Sequence, residues 1–218
     1  GFPAVELAPL PPGLTPHRLA ELLARHALTV TSVHADLPTP ETVASWAALA
    51  RTCHCAKLIW HGWPRDPRFD SLAGVRHLIA ACDTAAALAR DHGLAFGMHN
   101  HWWEFEPVEG ERPIRLLNEE LDSHVFWQLD VYWAQTGGVD PAAVIAELLP
   151  RVRSIHWKDG PCVQGQPMTA LGQGRVDVPR ILRALTHPTD WVIELDECAT
   201  DRLQAARESR VYLEALCG

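Results

Sequence analysis

The chain has 218 residues, enough to bury one substantial core, and its 47% hydrophobic and 21% charged content excludes a disordered protein. The net charge is −8, and lysine occurs only at Lys57 and Lys158, so the clustered basic residues that a phosphate backbone requires are missing. No unbroken apolar run approaches the roughly 20 residues of a membrane span. Nucleic acid and membrane are therefore not expected as partners.

The six cysteines are scattered along the chain, which does not suggest a disulfide framework. Cys53, His54 and Cys55 are too tightly spaced for a zinc clip, and no second pair matches them. We expect reduced thiols. Because no basic and apolar leader is visible at the start, we also expect a cytoplasmic protein.

Short apolar segments alternate along the chain with stretches of helical periodicity. Seven segments predict strands, in chain order Ala4 to Leu7, Leu28 to His34, Ala56 to Trp60, Leu94 to His99, Val125 to Val131, Val152 to His156 and Trp191 to Leu195. The helices predicted between and after them start near Thr15, Thr39, Leu72, Ala142, Arg180 and Asp201.

This alternation is typical of a parallel sheet covered by helices, and it predicts a (β/α)8-type barrel in one domain, residues 1–218. A closed barrel has eight strands and about 250 residues. Because seven strands are predicted here, we expect that the first βα unit is missing in front of Gly1.

Ionisable residues stand at the ends of these apolar strands. Asp130, His156 and Glu194 each interrupt or end such a run, and His99 ends an earlier one. An uncompensated buried carboxylate costs several kcal/mol, so such groups are normally paired or bound to a metal. The carboxyl ends of barrel strands converge, and mixed nitrogen and oxygen ligands there suit Mn²⁺, Zn²⁺, Co²⁺ or Mg²⁺. The alternative is a structural network of ion pairs.

Five short segments occur in a fixed order along the chain. They are His99-Asn100-His101, Leu129 to Trp133, His156 to Asp159, Gly172 to Asp177 and Ile193 to Asp196. Together they resemble the xylose isomerase-like TIM barrel superfamily of sugar phosphate isomerases and epimerases, which also includes inosose dehydratase-like proteins and endonuclease IV-type enzymes. The resemblance covers essentially the whole chain and implies the same barrel fold.

The resemblance also implies a divalent metal held by a carboxylate, an aspartate, a histidine and a final glutamate on four successive strands. Three of these transfer to Asp130, His156 and Glu194. The first does not, because this chain has His99 where the epimerases have a glutamate. The fourth ligand is therefore His99, His101 or a water molecule, in that order of preference.

The same departure bears on the reaction. The epimerases use two glutamates on opposite faces of the substrate, and here Glu194 could still serve as the base. The second proton would then come from a histidine, for which we name His101, or from Lys158, whose alternative role is to pair with a neighbouring carboxylate. If the intermediate instead expels a leaving group, the enzyme is a dehydratase or lyase.

Further residues are candidates for substrate binding. His34 and His61 end their strands, where contact with substrate and hydrogen bonding within a loop are equally open. Trp103 and Trp133 could offer flat apolar walls to a sugar ring, or simply belong to the core. Arg175, in a glycine-rich loop, could reach the substrate or lie exposed.

The function expected first is a metal-dependent isomerase or epimerase acting on a sugar, keto-sugar or polyol. The alternatives are a dehydratase or lyase on a related polyol and a non-catalytic carbohydrate-binding descendant. A DNA-repair endonuclease is disfavoured, because Trp133 stands where that enzyme needs a further metal ligand and the chain is acidic. The partner expected is a small molecule, with a homo-oligomer left open.

Overall fold

The computed structural model describes all 218 residues, as two compact units, one of residues 1–99 and 115–126 and the other of residues 100–114 and 127–218. Seven strands form a single sheet in chain order from β1 to β7, with helices between them. The predicted alternation of parallel strands and helices is confirmed.

The first compact unit carries the first four strands, which pair in parallel in the order β1 to β4. Fully buried Val33 and Leu58 are register partners, and Leu58 is in turn opposite Phe96. Its elements are β1 (Ala4–Leu7), α1 (Pro16–Arg25), β2 (Thr29–Ala35), α2 (Val43–Thr52), β3 (Lys57–Trp60), a 3-10 turn (Pro67–Asp70), α3 (Leu72–Asp91), β4 (Ala95–His99) and most of α4 (Pro113–Glu120).

Helix α3 is the longest helix of the chain, and it spans Leu72–Asp91 as predicted. By length and composition alone it is long and apolar enough to cross a membrane, although its apolar residues do not form one unbroken run. Val75, Leu78 and Cys82 of this helix are fully buried in the described fold. The core helices of globular proteins can have the same length and composition.

The second compact unit carries β5 to β7, which also pair in parallel. Asp130 at the end of β5 is the register partner of His156 on β6, and Trp157 is the partner of Ile193 on β7. Its elements are β5 (Phe126–Asp130, of which Phe126 belongs to the first unit), α5 (Val131–Thr136), α6 (Pro141–Leu148), β6 (Val152–Trp157), α7 (Val178–Ala184), β7 (Asp190–Ile193) and α8 (Arg202–Cys217).

Several details differ from the sequence prediction. The short helices α4 and α5 were not predicted, and α5 starts directly at Val131 because the Asp130 side chain caps it by accepting the N–H of Trp133. Helix α2 begins at Val43 rather than near Thr39. Strand β7 ends at Ile193, so Glu194 follows the strand instead of lying inside it.

Candidate active site

Three of the predicted metal ligands come together at the strand ends of the second compact unit. The His156 Nδ1 lies 2.7 Å from the Glu194 Oε2 and 3.9 Å from the Asp130 Oδ2. One ligand atom from each of Asp130, His156 and Glu194 lies within 4.8 Å of the others. The parallel register explains this, because it sets the ends of β5 and β6 level and places the residue after β7 beside them.

Asp130 is the most buried acid of this group, and its surroundings fix it firmly. Its backbone N–H donates to the Asn100 Oδ1 at 2.9 Å, and its carbonyl accepts from the Asn100 Nδ2 at 3.2 Å. Its Oδ1 caps α5, as described above, so its Oδ2 is the oxygen that faces His156 and Lys158. Burial raises the pKa of Asp130 to about 6, although the positive charge of Lys158 and His156 opposes that rise.

Lys158 is the cation of the site. Its Nζ lies 2.8 Å from the Glu194 Oε2, 2.8 Å from the Asp196 Oδ2 and 3.1 Å from the Asp130 Oδ2. Its side chain is only 2% exposed. Burial by itself would lower the pKa of Lys158, but the three carboxylates outweigh it and raise that pKa above its ordinary value. The ammonium therefore stays charged, and the network of ion pairs that we considered as an alternative is present.

Aromatic rings line the same unit. The His101 ring stacks on Trp103 with centroids 4.2 Å apart, and Trp102 lies 4.8 Å from Trp133. The Lys158 Nζ lies 5.6 Å from the centroid of Trp133, which is a cation–π distance. Trp103 is fully buried behind His101, whereas Trp102 and Trp133 are partly exposed. Contact between substrate and His101, Trp103 or Trp133 stays a prediction.

Asp159 organises the glycine-rich loop next to the site. Its carboxylate accepts four backbone N–H groups, from Gly160 at 2.8 Å, Gly172 at 2.9 Å, Val176 at 3.0 Å and Gly174 at 3.1 Å. A Cβ on Gly174 would lie 2.1 Å from the Asp159 Oδ1, so only glycine fits there. The loop is thus tied to the end of β6, immediately after Lys158.

The other predicted histidines lie in the first compact unit. The Nε2 of His34 is 3.1 Å from the Glu6 Oε1, and its ring centroid is 5.4 Å from that of His99. His61 faces Asp36 with Nε2 at 3.2 Å and accepts the N–H of Trp63 at Nδ1. Both ring nitrogens of His61 thus form hydrogen bonds within loops, and its contact with substrate stays a prediction. The assignment of His99 as fourth ligand and of His34 as substrate contact stays a prediction.

The remaining predicted residue, Arg175, has an exposed side chain, and its contact with substrate stays a prediction. Its backbone N–H donates to the Gly160 carbonyl, and its own carbonyl accepts from the Gln135 side chain. Sequence reasoning missed the roles of Asn100, Asp159 and Asp196. For Asp196 a signal existed, because a residue two positions after Glu194 in an extended segment points to the same side.

The donor set fits a divalent metal ion. Two carboxylates and one imidazole, close enough to share one ion, are the ligands that Mn²⁺, Zn²⁺ and Co²⁺ accept in proteins. Asp130, His156 and Glu194 would hold the ion. Asp130 is fully buried among them, and burial of a carboxylate is tolerated when a cation stands next to it.

Alternating parallel strands and helices, with ionisable groups at the strand ends, define an α/β barrel. The chain belongs to the xylose isomerase-like TIM barrel family, whose model matches residues 1–216. The predicted fold class and family are thereby confirmed, with seven strands in place of the eight of a complete barrel.

Several solved structures share this fold. The chain is 21% identical to a sugar phosphate isomerase/epimerase from Parabacteroides distasonis, with a TM-score of 0.82 over 98% of this chain and 87% of that one. It is 18% identical to an L-ribulose 3-epimerase, with a TM-score of 0.74 over 99% and 84%.

A dehydratase is also among the similar structures. The probable 3-DHS dehydratase involved in petrobactin synthesis in Bacillus anthracis is 15% identical, with a TM-score of 0.73 over 98% of this chain and 89% of that one. No curated protein matches the sequence. At 15% to 21% identity, the likeness to these three structures extends to the fold.

Asp159→Asn should destabilise the fold. In asparagine an NH₂ group replaces one of the two carboxylate oxygens that accept backbone N–H groups, so donors would face donors there. Leaving such N–H groups unsatisfied costs about 1–3 kcal/mol. Urea unfolding should show this loss. Asp201→Asn is the matched control, because it also removes one carboxylate charge but leaves a residue that caps α8 equally well. Equal losses in the two variants would contradict the assigned role.

The raised pKa of Asp130 predicts a pH dependence of stability in chelator-treated protein. Because the folded-state pKa lies above the ordinary value, the contribution of this carboxyl group to stability is fully present at low pH and is lost as the pH rises through about 6. The free energy of unfolding of the wild type relative to Asp130→Asn should therefore fall between about pH 4 and pH 6. Urea unfolding of both proteins across this range tests it, and a difference that is constant or that grows with pH would refute it.

Proposed function

We propose that this protein is a metal-dependent isomerase or epimerase that acts on a sugar, keto-sugar or polyol in the cytoplasm. The observation that carries the proposal is the group formed by Asp130, His156 and Glu194 at the strand ends, in a chain of this family. A divalent ion held there would polarise the oxygens of a bound carbonyl and its neighbouring hydroxyl group.

The exposure of the three residues separates their roles. The side chains of Asp130 and His156 are completely buried, whereas that of Glu194 is 38% exposed. Glu194 is therefore the member of the group that can reach a substrate carbon. As the base, its carboxylate would remove the proton next to the substrate carbonyl, which leaves an enediolate.

Lys158 is the cation that contacts that carboxylate, and we name it as a proton donor. Its Nζ lies 2.8 Å from the Glu194 Oε2 and 2.8 Å from the Asp196 Oδ2. An ammonium held by Asp196 could donate a hydrogen bond to a substrate oxygen as charge develops there. His101, which stacks on Trp103, is the second candidate for returning a proton. The partly exposed rings of Trp102 and Trp133 offer apolar faces on which the C–H side of a sugar ring can pack.

A dehydratase is the second candidate, and the pattern of acids in the second compact unit favours it. Glu194 and Asp196 are the partly exposed carboxylates at this site, and both contact the same ammonium. Because Glu194 and Asp196 share one ammonium, they do not provide two independent bases. His99 stands where the epimerases have their other glutamate. One base and one proton donor suffice for elimination of water next to a carbonyl, because the base takes the carbon-bound proton and the donor protonates the departing hydroxyl.

The test is to incubate the protein with Mn²⁺, Co²⁺ or Zn²⁺ and a panel of free and phosphorylated keto-sugars in D₂O, followed by NMR. An isomerase or epimerase should give a second sugar that carries deuterium on the carbon next to the carbonyl. A dehydratase should instead give a dehydrated carbonyl compound with new ultraviolet absorbance. Exchange should fall by about 100-fold or more in Glu194→Gln, the loss typical of a missing general base.

Glu197→Gln is the matched control for that experiment, because it removes an exposed acid three positions later. Equal activity of Glu194→Gln and the wild type would contradict the assigned base. Sugar binding without exchange or product, in any metal, would support the non-catalytic descendant instead.

A further inference from the structure

Lys158 contacts the same oxygen atoms that face the proposed metal position. Its Nζ is within 3.1 Å of the Asp130 Oδ2 and 2.8 Å of the Glu194 Oε2, which are the oxygens nearest to the His156 Nδ1. The Lys158 ammonium therefore neutralises the carboxylates of Asp130 and Glu194, which a metal ion would need as ligands.

Two cations cannot share these oxygens without cost. A divalent ion placed among Asp130, His156 and Glu194 would repel an ammonium a few ångströms away, and low dielectric strengthens that repulsion because the Lys158 side chain is almost fully buried. Entry of the metal therefore requires Lys158 to give up its contacts with Asp130 and Glu194.

Asp196 is a carboxylate with which Lys158 can keep its ion pair when a metal ion enters. It is the third carboxylate on the ammonium, at 2.8 Å, and it does not belong to the candidate metal group. Its side chain is 42% exposed, and Arg202 donates to its backbone carbonyl at 2.9 Å, which holds the segment in position. The other two carboxylates that contact Lys158 are those of Asp130 and Glu194, which belong to the candidate metal group. If the ammonium left both of them, Asp196 would be the carboxylate that remains of these three contacts.

We propose that Lys158 is a built-in counter-ion that competes with the divalent metal for Asp130 and Glu194, and that Asp196 receives it when the metal enters. This inference rests on the metal site of the proposed function. It makes Lys158 a residue that weakens metal binding, although it lies at the centre of the site. It makes Asp196, which is not a ligand, a residue that strengthens metal binding through Lys158.

The experiment is a titration of chelator-treated protein with Co²⁺, followed by calorimetry and by the visible absorbance of the bound ion. Lys158→Met should lower the Kd for Co²⁺ by about tenfold or more, since one unit charge is removed from a poorly screened site. Asp196→Asn should raise the Kd. In the Lys158→Met background, Asp196→Asn should change the Kd by no more than about twofold, because the residue through which it acts is gone.

Lys57→Met is the matched control, since Lys57 is the other lysine of the chain and lies on β3. It should leave the Kd unchanged. An unchanged or raised Kd in Lys158→Met, or an equal effect of Asp196→Asn in both backgrounds, would overturn the inference. If Lys158→Met does not fold without metal, Asp196→Asn still decides, because an unchanged Kd in that variant is incompatible with a receiving role.

The outcome also separates this inference from the proposed function. If neither the wild type nor any variant binds Co²⁺, Mn²⁺ or Zn²⁺, the metal site itself is refuted. If the wild type binds one ion and Lys158→Met binds it with the same Kd, the metal site stands and only the competition is refuted.

Discussion

The site of this protein depends on one constraint, which is that a carboxylate buried completely from water needs either hydrogen-bond donors or a cation beside each of its oxygens. Asp130 has no exposed surface, and its backbone and one carboxylate oxygen are already committed to Asn100 and to the cap of α5. The other oxygen must therefore meet a donor or a cation as well. The ammonium of Lys158 meets that demand, and a divalent ion would meet it as well. The parallel register of β5 with β6 brings His156 to the same place.

A second fully buried carboxylate lies just after β6, and it is stabilised in a different way. Asp159 is as buried as Asp130, yet it is satisfied by four backbone N–H groups of its own loop instead of by a cation. Adjacent residues of one strand end thus have separate tasks. Lys158 forms ion pairs with the carboxylates of the site, and Asp159 fixes the glycine-rich loop that follows.

The strand order and three of the proposed ligands could be predicted from the sequence, because buried parallel strands are apolar throughout and an ionisable residue at the end of one is conspicuous. Asp130, His156 and Glu194 were found in that way. Helix α5 was not, since apolar residues follow Asp130 as they precede it, and the cap that its side chain forms with the N–H of Trp133 is a contact of the folded chain. Asn100 and Asp159 form hydrogen bonds with residues that are distant in the chain, so no local sequence pattern predicts these contacts. The placement of His99 as fourth ligand remains a prediction.

The measurement that tests the central claim most directly is the metal content of protein purified without chelators, determined by inductively coupled plasma mass spectrometry. The wild type should carry close to one divalent ion per chain, and Asp130→Ala should lose it, whereas Glu197→Ala, which changes an exposed acid nearby, should keep it. The absence of metal from the wild type, even after incubation with Mn²⁺, Co²⁺ or Zn²⁺, would contradict the account and leave Lys158 as the permanent counter-ion of a barrel that binds no metal.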